Sequence, residues 1–553
     1  MGAQSDETTP LNPAQTEASY NAITAEPAKQ PPNSSHVLPD EESDAVPASP
    51  VKPPVEVRTS VKSIIAILLL GEFISNADST LIMTATARIT SEFNHLQGAA
   101  WLSTGYTLGV CVAQPMYGKL SDIYGRKPLL LGSYFFLALG CVICGLATDM
   151  WIVILGRALS GIGGAGVMTM SSIIITDIVP KREIAQWRAY INVAMTLGRS
   201  IGGPVGGVLT DTIGWRWAFI LQAPLLALAA LLVTIQLKLV PRESPAGANR
   251  PGISRIDFRG AFLLGVGIAS LILLLDQGGK LFPWNSIPTF AFSGGGILTL
   301  ALFIYTELNV AAEPIFDLHL LKRPNITASY LISALQVAAQ VGMMFTVPFY
   351  FQVTARASSS IAGAHLIPAV VGNTIGGLSA GIFIRRTGNY KPVLVIAGLV
   401  SSISYVLQFL RWNGHTGVAE SFYIIFGGMG SGFSSSAAFV SMTAFLVPGE
   451  IAMATSGYLL FLNFAISAGI TSNYTLLGAE FRRQMERRLS GPEADKIIQR
   501  ALSSIAYIVG LTGSVREIVV GSYVAGLKHA YLFSLVCALL GAVVALSVRS
   551  HRL

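Results

Sequence analysis

Fourteen apolar stretches, each about 20 residues long, alternate with short polar segments along the chain. They lie near 62–84, 98–118, 128–147, 151–173, 187–210, 217–236, 258–276, 288–308, 326–350, 361–384, 391–411, 419–440, 450–475 and 528–548. Their length matches the ~30 Å hydrocarbon core of a bilayer. The pattern predicts an all-α polytopic membrane protein with 14 transmembrane helices, and an even count puts both termini on one face.

The cations choose that face. On the termini's side the connections hold Lys119, Arg126 and Lys127; Lys181, Arg182 and Arg188; Lys238, Arg242, Arg250, Arg255 and Arg259; Lys322 and Arg323; and Arg385, Arg386 and Lys391. The short connections opposite offer only Arg216, Lys280, Arg356 and Arg411. By the positive-inside rule both termini are expected in the cytoplasm. The basic segment 476–527 is too long for the rule and reads as a long non-cytoplasmic loop. Its Glu493–Ile505 part has amphipathic spacing suited to the membrane interface. Residues 1–57 contain ten prolines and many Ser, Glu and Ala, too little apolar surface to fold. Asp6-Glu7-Thr8-Thr9-Pro10-Leu11 in this tail is similar to an acidic-dileucine sorting signal lacking its second leucine, although an unremarkable tail explains it as well.

Composition agrees with the pattern. The 553 residues are 52% hydrophobic and 12% charged, with a net charge of +7 and mean hydropathy +0.57. Soluble domains carry about 25% charged residues. Because the cations sit in loops between apolar runs, they read as a topology signal and not as a nucleic-acid surface. All four cysteines lie in apolar runs, so the Cys141-Val-Ile-Cys144 pair reads as packing, with no redox or metal site expected.

The loops also repeat. Gly118, Asp122 and Gly125, followed by Lys127-Pro128, match the spacing of Gly381, Arg385 and Gly388, followed by Lys391-Pro392. Each set follows the second span of a six-span group, so two related halves are expected to rock about a midplane site. The organisation read from this is a tail (1–57), an N-terminal half (58–240), a linker with two extra spans (241–322), a C-terminal half (323–549) and a short cytoplasmic end (550–553).

The loop Gly118-Lys-Leu-Ser-Asp-Ile-Tyr-Gly-Arg-Lys-Pro128 is the most specific signal. Glycines permit close helix approach and a tight turn, and Asp122 at a helix end can pair with Arg126 as a latch. This resembles the signature loop of the major facilitator superfamily. In Leu155-Gly-Arg157-Ala-Leu-Ser-Gly-Ile-Gly-Gly-Ala-Gly166, a charge inside a glycine-rich span needs a carboxylate or a wet cavity; Arg157 resembles the superfamily arginine associated with proton coupling. Gly198, Gly202, Gly203, Pro204, Gly206 and Gly207 resemble the antiporter motif of the superfamily's exporters, with Arg199 standing where a glycine is usual. A packing seam would look the same in sequence. Trp215-Arg216-Trp217-Ala-Phe219 with Pro224, and Asn76-Ala-Asp78-Ser-Thr80-Leu-Ile82, are similar to the fourteen-span drug:proton antiporter family. Within it, Asp78-Ser79-Thr80, the arginine-bearing 198–207 stretch, and Arg386-Thr-Gly388 with Tyr390-Lys391-Pro392 lean toward the fungal vacuolar basic amino acid transporters. The resemblance implies a major facilitator fold, with two six-helix halves and two extra central helices.

A proton-coupled antiporter needs a buried group whose proton competes with substrate. Glu72, Asp78, Asp276 and Glu307 lie in or near spans; the last two fall at span ends and read as boundary residues. Glu72 and Asp78 are six residues apart, about 240° around a helix, so they face different neighbours. Asp78 is the preferred proton or cation carrier, with Arg157 as its modulator, and Glu72 the alternative, touching a cationic substrate. Gln336, Gln340, Asn373, Asn463, Tyr350 and Phe461 are weaker cavity candidates, and His365 a boundary histidine. The expected function is proton-coupled antiport of Lys, Arg and His into a vacuole by a monomer, without cofactor or metal. The alternative is drug or siderophore export at the plasma membrane. A transporter-like sensor is disfavoured by the short C-terminus, and no P-loop, nucleophile elbow or metal-ligand spacing suggests an enzyme or direct ATP drive.

Overall fold

A computed structural model of the protein describes residues 60–93, 99–237, 257–278, 282–311, 314–357, 359–447, 449–489, 494–503 and 505–550. The tail and its Asp6–Leu11 stretch lie outside them. The first group of helices is α1 (Val61–Glu92), α2 (Ala99–Tyr124), α3 (Arg126–Leu146), α4 (Met150–Ile178), α5 (Lys181–Thr212), α6 (Trp215–Ile220) and α7 (Gln222–Gln236). A pair follows, α8 (Phe258–Gln277) packed on α9 (Ile287–Asn309). The last group is α10 (Pro324–Ala355), α11 (Ser359–Ala364), α12 (Ile367–Thr387), α13 (Lys391–Arg411), α14 (Val418–Ser421), α15 (Ile424–Thr443), α16 (Ile451–Arg488), α17 (Ala494–Ser503), α18 (Ile505–Gly510) and α19 (Gly513–Ser547).

A helix occupies every one of the fourteen apolar stretches, and among the described residues 11 helical segments are by themselves long and apolar enough to cross a membrane. α2, α5 and α15 fall short of that measure. They are the helices that carry polar and small residues, and they pack in the interior: α2 against α4, α8 and α16, α5 against α1, α12 and α15, and α15 against α10, α12 and α13. A span surrounded by protein does not have to be as apolar as one facing lipid. Proline accounts for one break. Pro224 cannot donate to the carbonyl four residues earlier, and the span divides there into α6 and α7.

The two groups pack alike. α1 lies on α5 and α7 as α10 lies on α16 and α19; α3 lies on α4 and α7 as α13 lies on α15 and α19; α2 lies on α4 as α12 lies on α15. The groups meet crosswise, α2 on α16 and α12 on α5. The repeated glycines mark those crossings. A Cβ on Gly118 would come within 2.2 Å of Ser456 Oγ and 2.8 Å of the Ala452 carbonyl; one on Gly381 would come within 2.7 Å of Gln186 Cα. Arg385 pairs with Glu183 at 3.3 Å beside the second crossing. Gln114 accepts from Asn463 Nδ2 at 2.5 Å, and Asn192 donates to Asn373. Among the described residues these hydrogen bonds and ion pairs between the halves all lie between the signature-loop end and mid-span. The apolar core is likewise shared there, whereas the last group keeps a separate core at its other end. The bundle is closed at the signature-loop end. Gly118→Val is therefore expected to prop it open, lowering disulfide cross-linking between Gln114→Cys and Asn463→Cys at least about tenfold, since backbone atoms there cannot retreat as a side chain can.

Two expectations change. The long loop 476–527 is largely helix. α16 has 38 residues, about 57 Å at ~1.5 Å per residue, well beyond the bilayer core, and α19 begins at Gly513. Between them, Ile498 and Ala501 of α17 turn into a core with Phe481, Met485, Val519 and Tyr523, so this amphipathic face packs on protein and not on the membrane interface. Arg516 closes the cap by donating to the carbonyls of Val353 and Thr354 at 3.1 and 3.3 Å, at the end of α10. The second change is Arg188. Helix α5 starts at Lys181, which carries Arg188 two turns inward, where it is buried and no longer a loop cation.

Candidate functional site

α1 carries both acidic candidates into the interior on one unbroken helix. Asp78 is 0% exposed and Arg157 1%. The Arg157 Nη1 donates to Asp78 Oδ2 at 2.6 Å, so the two charges compensate each other. Gln222 Nε2, placed by the α6–α7 break, donates to Asp78 Oδ1 at 3.3 Å, and the Cys141 thiol reaches the same oxygen at 3.8 Å. The guanidinium also stands over the Tyr106 ring, 4.6 Å from its centroid, a cation–π contact that strengthens when water is excluded. The sequence did not flag Gln222 or Tyr106, and it read Cys141 as packing; each is ordinary in its own helix.

Glu72 faces other neighbours, as its spacing from Asp78 requires. It is 0% exposed. Asn76 Nδ2 donates to its Oε2 at 3.4 Å, and Asn76 Oδ1 accepts from Arg199 Nε at 3.0 Å, so Asn76 bridges carboxylate and guanidinium. The Ser171 hydroxyl donates weakly toward this carboxyl, and the other oxygen, Oε1, has no close hydrogen bond. Arg188 acts on the Glu72 charge too. It donates to Ser172 at 2.6 Å, its Nε is unpartnered, and it lies 4.1 Å over the ring of Phe439 in the other half.

The antiporter stretch divides by face. Gly198, Gly202 and Gly206, four residues apart, let α5 touch α1: added Cβ atoms would meet the Phe73 carbonyl at 2.5 Å, the Ala77 carbonyl at 2.3 Å and Leu81 Cγ at 2.8 Å. A Cβ at Gly203 or Gly207 would meet no atom closer than 4.0 Å, and Pro204 is exposed. Three glycines thus form a seam that sets Arg199 against Asn76, while the others face away.

At the signature loop, Gly125 adopts φ +90°, the left-handed turn a side chain resists. Arg126 then pairs with Asp122 at 2.7 Å and with Asp177 of α4 at 3.0 Å. Asp177 completes the latch and was missed because it is distant in sequence. At the opposite end Arg216 donates to the Ala147 carbonyl at 2.5 Å and to Glu92 at 2.8 Å, and Trp215 Nε1 donates to Glu92 at 2.6 Å. The Trp215 and Arg216 contacts hold the Glu92 carboxyl below the usual carboxylate range.

Of the weaker candidates, Asn373 and Asn463 bind across the halves, Gln336 donates to Ser401, and Tyr350 bonds with Thr416. Phe461 is partly exposed beside Tyr330, at 5.2 Å, and buried Gln340 has an unpartnered Oε1. His365 bonds with Ser421 at 2.8 Å and stacks on Phe351. The side chain of Asp276 lies outside the described residues.

The family profile described as Major Facilitator Superfamily matches residues 68–470. The chain belongs to this superfamily. The multidrug resistance protein fnx1 of Schizosaccharomyces pombe is 31% identical to this major facilitator chain over 491 residues, 88% of this chain and 92% of that one. The vacuolar membrane amino acid uptake transporter fnx2 of the same yeast is 29% identical, covering 86% and 82%. The efflux pump dotC of Dothistroma septosporum is 28% identical, covering 79% and 75%. Two solved structures share the fold. The human organic anion transporter MFSD10 has TM-score 0.56 at 15% identity, covering 88% of this chain and 99% of its own. The proton:xylose symporter XylE has 0.55 at 16%, covering 88% and 96%. A major facilitator protein is a membrane transporter of small molecules and not an enzyme.

Proposed function

We propose that the chain is a proton-coupled antiporter that moves Lys, Arg and His across the vacuolar membrane into the lumen. It would have fourteen spans, two six-helix halves (58–240 and 323–549), two extra helices between them, both termini in the cytoplasm and a monomeric state. The observation that carries this reading is Glu72: a fully buried carboxylate held only by weak contacts to Asn76 and Ser171, with two arginines acting on its charge. A bare cation would be repelled by Arg188 and Arg199. A basic amino acid offers an α-carboxylate to the arginines and a side-chain cation to Glu72, and so matches both signs. The likeness to the vacuolar amino acid transporter supports the same reading.

Asp78 is the proton carrier in this scheme. While ionised it holds Arg157; on protonation it releases the guanidinium, and the buried charge must find another partner, which links proton binding to rearrangement of α1 and α4. The closed signature-loop end then corresponds to a state open toward the lumen. Vacuolar vesicles energised with ATP and given labelled lysine test the function. Uptake should collapse with a protonophore, and uptake no greater than in protonophore-treated controls would sink it. A second reading, proton-driven export at the plasma membrane, is favoured by the likeness to fnx1 and dotC. A fluorescent fusion at the cell edge would select it, and one on the vacuolar rim would select the first.

A further inference from the structure

The sequence reads Glu307 as a boundary residue in a solvated position, but it is only 7% exposed. It sits in the last turn of α9. Its Oε1 accepts from the Ile315 backbone N–H at 3.0 Å and the Phe316 N–H also points at the carboxyl, while Oε2 is buried with no close hydrogen bond. Asp257 stands opposite, capping α8: its Oδ1 accepts from the N–H groups of Arg259 and Gly260 at 3.0 Å, and its Oδ2 is buried without a partner too. Gly260 lies between the two carboxyls. A Cβ placed there would be 2.5 Å from Asp257 Oδ2 and 3.4 Å from Glu307 Oε1.

The charges that act most on Glu307 are Asp257 from α8 and Lys119 from α2. Asp317 and His319, on the adjoining turn, pair with each other at 2.9 Å. Two carboxylates flanking one glycine, each with a buried oxygen, repel each other if both are ionised, and a single proton held between them removes the repulsion. The unpartnered Asp257 Oδ2, across Gly260 from the Glu307 carboxyl, is where that proton's hydrogen bond can form. The location gives the proton a consequence. Lys119 directly follows Gly118, the residue at which α2 closes on α16, and α8 packs on both α2 and α16.

We infer that Asp257 and Glu307 form a second proton-binding site, separate from Asp78 and Glu72, by which acidity at the signature-loop end sets how firmly the α8–α9 pair holds the end of α2. With both carboxylates ionised, Lys119 is drawn to the hairpin and α2 is held. With one proton bound, the attraction halves and the closed end loosens.

The test uses the full-length protein in detergent and in proteoliposomes. A hydrophobic carbodiimide reacts with the protonated carboxyl group, and the adduct is located by peptide mass spectrometry. Labelling is expected on one member of the pair per molecule, falling about tenfold per pH unit above its midpoint as a one-proton titration requires. Glu307→Gln and Asp257→Asn should each abolish it at the partner, because an amide can hydrogen-bond the remaining carboxylate but cannot share its proton. In proteoliposomes Glu307→Gln should transport at the wild-type acid-side rate at every pH on that face. The assignment is overturned by both carboxyls labelling together, by no labelling across the range, or by unchanged labelling of the partner in either variant. Asp257→Asn keeps the helix cap, so it serves if Glu307→Gln does not fold. The labelling is read without transport and stands or falls independently of the substrate proposed above.

Discussion

Asp78→Asn is expected to abolish proton-coupled transport, lowering uptake at least about 100-fold, and to reduce thermal stability measurably. The reason is the ion pair. Arg157 is buried with its charge matched by Asp78 at 2.6 Å. Removing one member of such a pair leaves an uncompensated buried charge and costs about 3–5 kcal/mol. Arg157→Gln should destabilise similarly by stranding the carboxylate. The double variant Asp78→Asn/Arg157→Gln discriminates the roles. Neutralising both partners is often neutral or stabilising, so its melting temperature should return toward wild type while coupled uptake stays lost. Recovery of transport along with stability would show the pair to be scaffolding only.

Glu72→Gln is expected to behave in the opposite way, with a large loss of lysine uptake and no loss of stability. Glu72 has no guanidinium or ammonium in hydrogen-bonding contact, and its Oε1 has no close hydrogen bond. A buried charge with only weak hydrogen bonds from Asn76 and Ser171 is unfavourable, so the amide should leave the melting temperature unchanged or raise it. Labelled lysine uptake should fall at least about 30-fold, in line with the roughly 2–3 kcal/mol of a charge-assisted hydrogen bond. Substrates without a cationic side chain should be affected less. Equal losses for lysine and for a neutral amino acid would assign Glu72 to the proton path instead.

The contrast between these two carboxylates was half legible. Their depth and angular separation follow from helix geometry, because six residues on α1 cannot bring them to one face. Which is paired and which is open depends on the neighbours that α3, α4, α5 and α7 supply, and nothing in α1 encodes that. The same holds for the antiporter glycines. Their four-residue spacing shows that some line one face, but only the approach of α1 shows that Gly198, Gly202 and Gly206 form the seam and that Gly203 and Gly207 do not. Arg188 stood at the edge of its apolar stretch and was counted with the loop cations, because hydropathy does not show that the helix runs back to Lys181. The first turns of α5 mix polar residues with Ile184, Ala185 and Trp187, and α1, α12 and α15 enclose the helix.

The sequence by itself determined the class of protein, the helices over the apolar stretches, the twofold repeat and the residues of the signature loop. Apolar length, glycine spacing and charge sidedness are local properties, fixed within about 20 residues. Tertiary structure alone decided that Arg157 is in direct contact with Asp78 and not with Glu72, that Glu72 has only weak contacts, that Asp177 completes the latch and that Glu307 meets Asp257. Each joins residues 50 or more positions apart in sequence, or leaves a group weakly held, and a buried charge is defined by what surrounds it.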